Sequence, residues 1–243
     1  MSEVLRAEGL TRILPGAVPV TLVRDISLSI DHGEFVMIMG PSGSGKSSLL
    51  YLLGLLDAPT AGKVWLDGRD TSAFGEDELA ELRLASLGFV FQFHFLLAEF
   101  SVLDNVLLPM HRLGSLPEEG RHARARQLLA DLGLADQIHR RPDQLSGGQR
   151  QRVAIARAMA NDPLVIMADE PTGNLDTASS RNVRDILSDF ARNRGKTVLA
   201  VTHDPDFAQA GDRLIRLVDG RIASDGDTGT PDAAGMQLPT PPP

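Results

Sequence analysis

The stretch Gly40-Pro41-Ser42-Gly43-Ser44-Gly45-Lys46-Ser47 constrains this chain more than any other. It satisfies the pattern G-x-x-x-x-G-K-[ST] at every fixed position. The apolar run at residues 35–39 before it reads as a buried strand, and Ser48-Leu49-Leu50-Tyr51-Leu52-Leu53 after it reads as the first part of a helix. Strand, glycine loop and helix in that order make a phosphate cradle. Glycines permit positive φ and let backbone N–H groups approach phosphate oxygens, and the helix start adds a positive dipole end. Lys46 is placed to neutralise β- and γ-phosphates and Ser47 to hold Mg²⁺. A Gly/Ser turn with an incidental lysine has no need of both flanks.

At 243 residues the chain can form one large α/β unit or two small domains, with a full core and no staples. It contains no cysteine, which excludes a thiol nucleophile, a disulfide framework and a thiolate zinc site. The six histidines are scattered without metal-site spacing. Its N-terminus, Met1-Ser2-Glu3-Val4-Leu5-Arg6, has neither the basic start nor the apolar core of a signal peptide. The longest run without a polar residue, 49–56, is too short to span a bilayer. These features place the chain in the cytoplasm without direct membrane insertion. A net charge of -8 argues against broad nucleic-acid binding. With no basic amphipathic or lipid-anchor segment in the sequence, any membrane partner is expected to be another protein.

Residues 20–30 alternate loosely and read as a strand turning at Asp31-His32-Gly33. Residues 63–66 followed by Asp67-Gly68 read as a strand ending in a hairpin turn. From about Glu76 to Ala160 the pattern is helical, with Pro117-Glu118-Glu119 opening one helix, and suggests an insertion. Strand and helix then alternate: strand 164–168, helix about 180–191, strand 197–201. A short β ending follows at 214–222, turning at Asp219-Gly220. Residues 225–243 are proline-rich and read as a disordered tail.

Two further stretches carry chemistry. Residues 164–168 lead into Asp169-Glu170, carboxylates at the end of an apolar strand, where an α/β sheet presents ligand-facing groups. Asp169 suits a Mg²⁺ shell through water, and Glu170 is placed to polarise an attacking water against a γ-phosphate. Leu145-Ser146-Gly147-Gly148-Gln149 precedes a strong helix former, with Ser146 as the expected N-cap and two glycines exposing N–H groups as a second anion site. If the insertion holds the two anion sites apart, a second copy can supply the missing half.

With these three motifs in this order and spacing, the chain resembles the ATP-binding cassette (ABC) family over roughly residues 3–224. The resemblance implies an α/β P-loop NTPase with a mixed sheet core, an antiparallel β subdomain and a helical subdomain inserted at about 93–160. It also implies a head-to-tail homodimer, with each ATP between the phosphate loop of one copy (Gly40, Pro41, Ser42, Gly43, Ser44, Gly45, Lys46, Ser47 and Ser48) and Ser146, Gly147, Gly148 and Gln149 of the other. Gln92 then matches the glutamine that senses the γ-phosphate, joins Ser47 and Asp169 around Mg²⁺ and meets the membrane subunit. Asn174-Leu175-Asp176 matches the loop that crosses the dimer, and His203 matches the switch histidine acting with Glu170, Lys46 and Gln92. The family usually stacks an aromatic ring on adenine, and the matching place, near Ile13 and Leu14, has none. Weak base discrimination is expected.

Five of the nine phenylalanines lie within residues 89–100. Phe89, Phe91, Phe93 and Phe95 at period two fit one face of a buried strand; the other reading is an aromatic groove that receives a short helix of an integral membrane permease. Residues 92–97 and 100–106 are similar to the cassette ATPases of lipoprotein-releasing complexes. Residues 168–176 are shared with macrolide exporters and cell-division ATPases, so those functions stay open. A soluble cassette ATPase of DNA repair or translation, and a P-loop kinase, are weaker fits. The first would carry coiled-coil insertions or a second cassette, and the second has no use for residues 145–149.

Overall fold

In the computed structural model residues 2–228 are described; the rest of the expected tail, 229–243, lies outside the described residues. The chain opens with two long antiparallel strands, β1 (Glu3–Leu14) and β2 (Val20–Asp31), paired from Glu3↔Asp31 to Leu14↔Val20. β3 (Phe35–Met39) leads through the glycine loop into α1 (Lys46–Leu53). β4 (Ala61–Leu66) and β5 (Arg69–Asp70) form a hairpin whose turn residues, Asp67 and Gly68, have φ of 49° and 72°, the left-handed pair that a tight hairpin needs. α2 (Glu76–Ser86) and β6 (Leu87–Phe91) precede the helical segment of α3 (Val102–Leu113), α4 (Glu118–Asp131) and α5 (Gly147–Ala158). β7 (Val165–Asp169), α6 (Thr177–Arg192), β8 (Thr197–Val201), α7 (Pro205–Ala208), β9 (Arg213–Val218) and β10 (Arg221–Asp227) complete the described chain.

Two sheets result. One is antiparallel, in the order β2-β1-β4-β5; the other runs β10-β9-β3-β8-β7-β6 and is parallel except for β10. The parallel strands read as unbroken apolar runs because both of their faces are covered. Alternate residues serve two cores: Phe35, Met37, Ile166, Ala168, Val198 and Ala200 face the core shared with α3–α6. Val36, Ile38, Val165, Met167, Leu199 and Val201 face the core shared with α1 and the antiparallel sheet. The phosphate loop and the Asp169-Glu170 pair therefore leave the carboxyl ends of β3 and β7, two strands separated only by β8.

The structure departs from the sequence expectations at two places and decides between two readings at a third. β1 is missing from the pattern-based reading because Gly9, φ 59°, sits where the pairing register shifts, so Leu5 and Ala7 are in step with each other but Leu10 is not. β10 runs to Asp227, three residues into the expected tail, because Asp225 takes the Arg213 guanidinium in two bonds of 2.6 Å. Of the two readings of the phenylalanines, the buried strand face is the one that fails: β6 stops at Phe91, and Phe93 and Phe95 are 64% and 65% exposed.

The loop that carries those exposed rings is tied down from below by Asn105, which is fully buried in α3. Its amide donates to the carbonyls of Leu97 (3.1 Å) and Ser101 (2.9 Å), and its oxygen accepts from the Leu97 N–H at 2.8 Å. Asn105→Ala strands these buried backbone groups and is expected to cost about 1–3 kcal/mol. An unchanged urea midpoint for the variant would contradict that account.

Candidate nucleotide site

The phosphate loop is shaped by contacts that leave no room for side chains. A Cβ at Gly40 would collide with the Leu217 carbonyl, and one at Gly45, φ 96°, with the Leu22 carbonyl. The Gly220 N–H donates to the Ser44 carbonyl at 3.0 Å, so the β9–β10 turn braces the loop from behind. Gly45 is the N-cap of α1 and offers no side-chain cap, and the first turn contains no acidic residue. The helix therefore presents uncapped N–H groups and a positive dipole end to an anion. Lys46 is buried, and its ammonium donates to the carbonyls of Gly40 (2.9 Å) and Pro41 (3.0 Å), folded over the loop that it is expected to serve.

Ser47 and Tyr51, one turn apart on α1, grip the two oxygens of one carboxylate. Ser47 Oγ donates to Asp169 Oδ1 at 2.9 Å, and Tyr51 Oη donates to Asp169 Oδ2 at 2.7 Å. Burial first, then the bond to Asp169, push the Tyr51 phenol pKa up to about 12. Ser47 and Asp169 are hard oxygen donors of the kind that Mg²⁺ takes, and the ion usually completes its shell with phosphate oxygens and water. Among the described residues no cluster of three or more His, Asp or Glu forms a cage that would hold a metal alone.

Glu170 has φ 47°, a region that non-glycine residues enter at a cost, and its N–H extends the β7–β8 ladder by donating to the Val201 carbonyl at 3.0 Å. That turn brings the carboxylate to His203: Oε1 lies 2.9 Å from Nδ1, and Oε2 accepts from the His203 N–H at 3.4 Å. Two residues 33 positions apart thus meet. Gln92, just past β6, donates from Nε2 to Asn174 Oδ1 at 3.1 Å, while Asn174 Nδ2 donates back to the Gln92 carbonyl at 3.4 Å. The side chain expected near Mg²⁺ is thus paired with the loop that follows Glu170.

The second anion motif folds as a capping box. Ser146 Oγ accepts from the Gln149 N–H at 3.2 Å, and the Gln149 side chain accepts from the Ser146 N–H at 2.9 Å, so the box consumes neither the Gly147 nor the Gly148 N–H. Gly148 is required by packing, since a Cβ there would come within 2.5 Å of Ser179 Oγ on α6. Asp176 caps α6, accepting from the N–H (2.9 Å) and hydroxyl (2.7 Å) of Ser179, and those bonds hold its pKa below the usual carboxylate range.

Sequence reading missed three residues. Tyr51 stands four positions after Ser47, a spacing that puts both on one helix face and could have pointed to it. Gln151, fully buried in α5, donates to the carbonyls of Pro171 (2.7 Å) and Phe91 (3.2 Å), and Arg157 donates to those of Phe95 (2.6 Å) and His94 (2.7 Å). Both bind backbone carbonyls far away in sequence, so no local signal marks them.

Where the family stacks an aromatic ring, the structure has an aliphatic corner: Leu14 and Val20 pair across the β1–β2 ends and are exposed, and nearby Val18 is 79% exposed. Aliphatic contact holds a purine by area alone, whereas base–aromatic stacking adds about 1–3 kcal/mol. ATP and GTP are therefore expected to be hydrolysed with kcat/KM values less than roughly a hundredfold apart, and Ile13→Tyr to lower the KM for ATP about tenfold. Strong discrimination by the unaltered chain would refute this.

Comparison with known proteins agrees with this geometry. The ABC transporter family model matches residues 23–173. The lipoprotein-releasing system ATP-binding protein LolD of Aquifex aeolicus (strain VF5) is 47% identical over 225 residues, covering 93% of this chain and 98% of that protein. The macrolide export ATP-binding/permease protein MacB of Marinobacter nauticus (strain ATCC 700491 / DSM 11845 / VT8) is 50% identical over 218 residues, 90% of this chain but 34% of its own length. A solved dimeric, post-hydrolysis state of the ATP-binding cassette MJ0796 bound to ADP and Pi superposes with a TM-score of 0.86 at 40% identity, over 93% of this chain and 99% of that one. With a phosphate loop braced by two backbone carbonyls, a carboxylate pair at the end of a strand two places along the sheet and a capped glycine signature, the chain belongs to the ABC transporter family as one of its ATP-hydrolysing cassettes.

Proposed function

We propose that this cassette, as a peripheral subunit on the cytoplasmic face of the cell membrane, energises an integral membrane permease that releases lipoproteins from that membrane. The observation that carries the reading is 47% identity across nearly the whole of a lipoprotein-releasing cassette, together with the exposed phenylalanines that a permease helix can cover. Phe93 and Phe95 stand at the surface, Phe91 packs edge-on to Phe95 with ring centres 5.5 Å apart, and a cleft of about 370 Å³ lined by Leu56, Phe89, Phe91, Pro109 and Arg157 lies alongside. An amphipathic helix laid into such a groove anchors by its apolar face.

In the proposed cycle two copies associate head to tail, each ATP lying between residues 40–48 of one and 146–149 of the other. Backbone N–H groups of the loop bind the phosphates, and Lys46 leaves its two carbonyls to neutralise the β- and γ-oxygens. Ser47 and Asp169 would hold Mg²⁺, which would supply charge neutralisation at the phosphates. Glu170 polarises the attacking water, while His203, hydrogen-bonded to it, steadies the water and the γ-phosphate. Gln92 exchanges its bond to Asn174 for the nucleotide and so passes the state of the site to the phenylalanine loop that begins at the next residue. ATP drives closure only to the extent that it binds the closed dimer better than the open one. Macrolide export or a cell-division role would use the same chemistry with other permeases.

Glu170→Gln should retain ATP binding and accumulate a dimer in gel filtration with ATP; a monomer under those conditions argues against the role given to Glu170. Lys46→Ala should abolish turnover chiefly through lost phosphate affinity, and near-normal turnover removes Lys46 from the site. Purification of the native complex is expected to yield permease subunits and lipoprotein release on ATP addition, and Phe93→Ala/Phe95→Ala to lose the permease while the free cassette still hydrolyses ATP. A complex that moves macrolides and leaves lipoproteins in the bilayer would replace the cargo assignment.

A further inference from the structure

Tyr51 is the only tyrosine in the chain, and the cycle above gives it no part. Its surroundings join two regions that the cycle must connect. On one side the phenol donates to Asp169 Oδ2 at 2.7 Å, while Ser47 occupies Oδ1 at 2.9 Å. On the other its ring meets the edge of Phe91, with centres 6.4 Å apart and planes at 70°. Phe91 in turn stacks on Phe89 (5.9 Å, 6°) and packs edge-on to Phe95 (5.5 Å, 81°), which touches Phe93. The exposed rings at the docking face are thus linked by successive aromatic contacts to the carboxylate beside the phosphate loop.

Ser47 Oγ would offer a metal a lone pair while its O–H still donates to Oδ1, and the Tyr51 phenol holds Oδ2. The phenol then fixes the carboxylate's orientation, and the position of the phenol depends on Phe91. We propose that Tyr51 is a positioning residue that joins the Asp169 carboxylate to the phenylalanine patch, so that displacement of the patch by a partner alters how firmly Asp169 holds its metal. The inference rests on the metal and docking assignments made under Proposed function.

The test uses the full chain loaded with ADP, with Mg²⁺ binding measured by calorimetry and the ring of the single tyrosine labelled for NMR. Tyr51→Phe keeps the ring contacts and removes the hydroxyl. It is expected to weaken Mg²⁺ binding roughly tenfold, the scale of one hydrogen bond to a charged group, and to leave metal-free ADP affinity unchanged, which a general packing defect would not do. Phe95→Ala, a change at the surface, is expected to move the Tyr51 ring resonances and to weaken Mg²⁺ by a smaller factor. Wild-type Mg²⁺ affinity in Tyr51→Phe, or Tyr51 resonances indifferent to Phe95→Ala, overturns the proposal. Asp169→Asn separates the causes: if it weakens Mg²⁺ binding while Tyr51→Phe does not, only the role of Tyr51 falls, and if it too is silent, the metal assignment falls and takes this proposal with it.

Discussion

Two backbone carbonyls, from Leu217 and Leu22, stand where Gly40 and Gly45 would otherwise carry a Cβ. That close approach presses the phosphate loop against both sheets at once, since Leu217 belongs to β9 of the mixed sheet and Leu22 to β2 of the antiparallel one. The hydrogen bond from Gly220 to Ser44 adds a third brace. A loop rich in glycine would by itself carry a high entropic cost of ordering. Here the packing around Gly40 and Gly45 offsets that cost and fixes the loop's N–H groups in place.

The same economy is visible at the other end of β7. Glu170 accepts a positive φ because its N–H is still used by β8, and the resulting turn sets its carboxylate against His203. Backbone strain at such a place is retained when the surroundings over-determine it, and the local return is the orientation of a carboxylate beside the nucleotide-binding loop. Beyond the core that the helical segment shares with the sheet, side chains that reach backbone carbonyls fasten it to this region. Gln151 spans Phe91 and Pro171, Arg157 holds residues 94 and 95, and Asn105 holds 97 and 101. Arg157 and Asn105 thereby fix a loop most of whose side chains are exposed, although Leu96 packs against the core, so the loop that follows Gln92 has definite geometry.

Much of this could be read directly from the chain. The glycine loop, the strand before it, the Asp169-Glu170 pair and the serine cap at 146 are local patterns, each enforced by the conformational needs of a few consecutive residues, and all appear where expected. β1 could not be read in the same way, because the bulge at Gly9 changes which residues face inward halfway along. The run of phenylalanines offered two readings, and periodicity alone favoured the buried one; the strand ends at Phe91, where pairing with β7 ends at Asp169, and the remaining rings are left outside.

What the sequence determined by itself is therefore the chemistry: a phosphate cradle, an acidic pair at a strand end and a glycine-rich helix start are each written in adjacent residues whose backbone preferences are local. Only the tertiary structure decided the pairings across distance. Tyr51 with Ser47 on one carboxylate, His203 with Glu170, Gln92 with Asn174, and Asp225 with Arg213 all join residues brought together by the order of strands in the sheets or by the packing of helices on them. A hydrogen bond needs its partners within about 3 Å, and whether two distant side chains come that close is a property of the packed whole rather than of either segment.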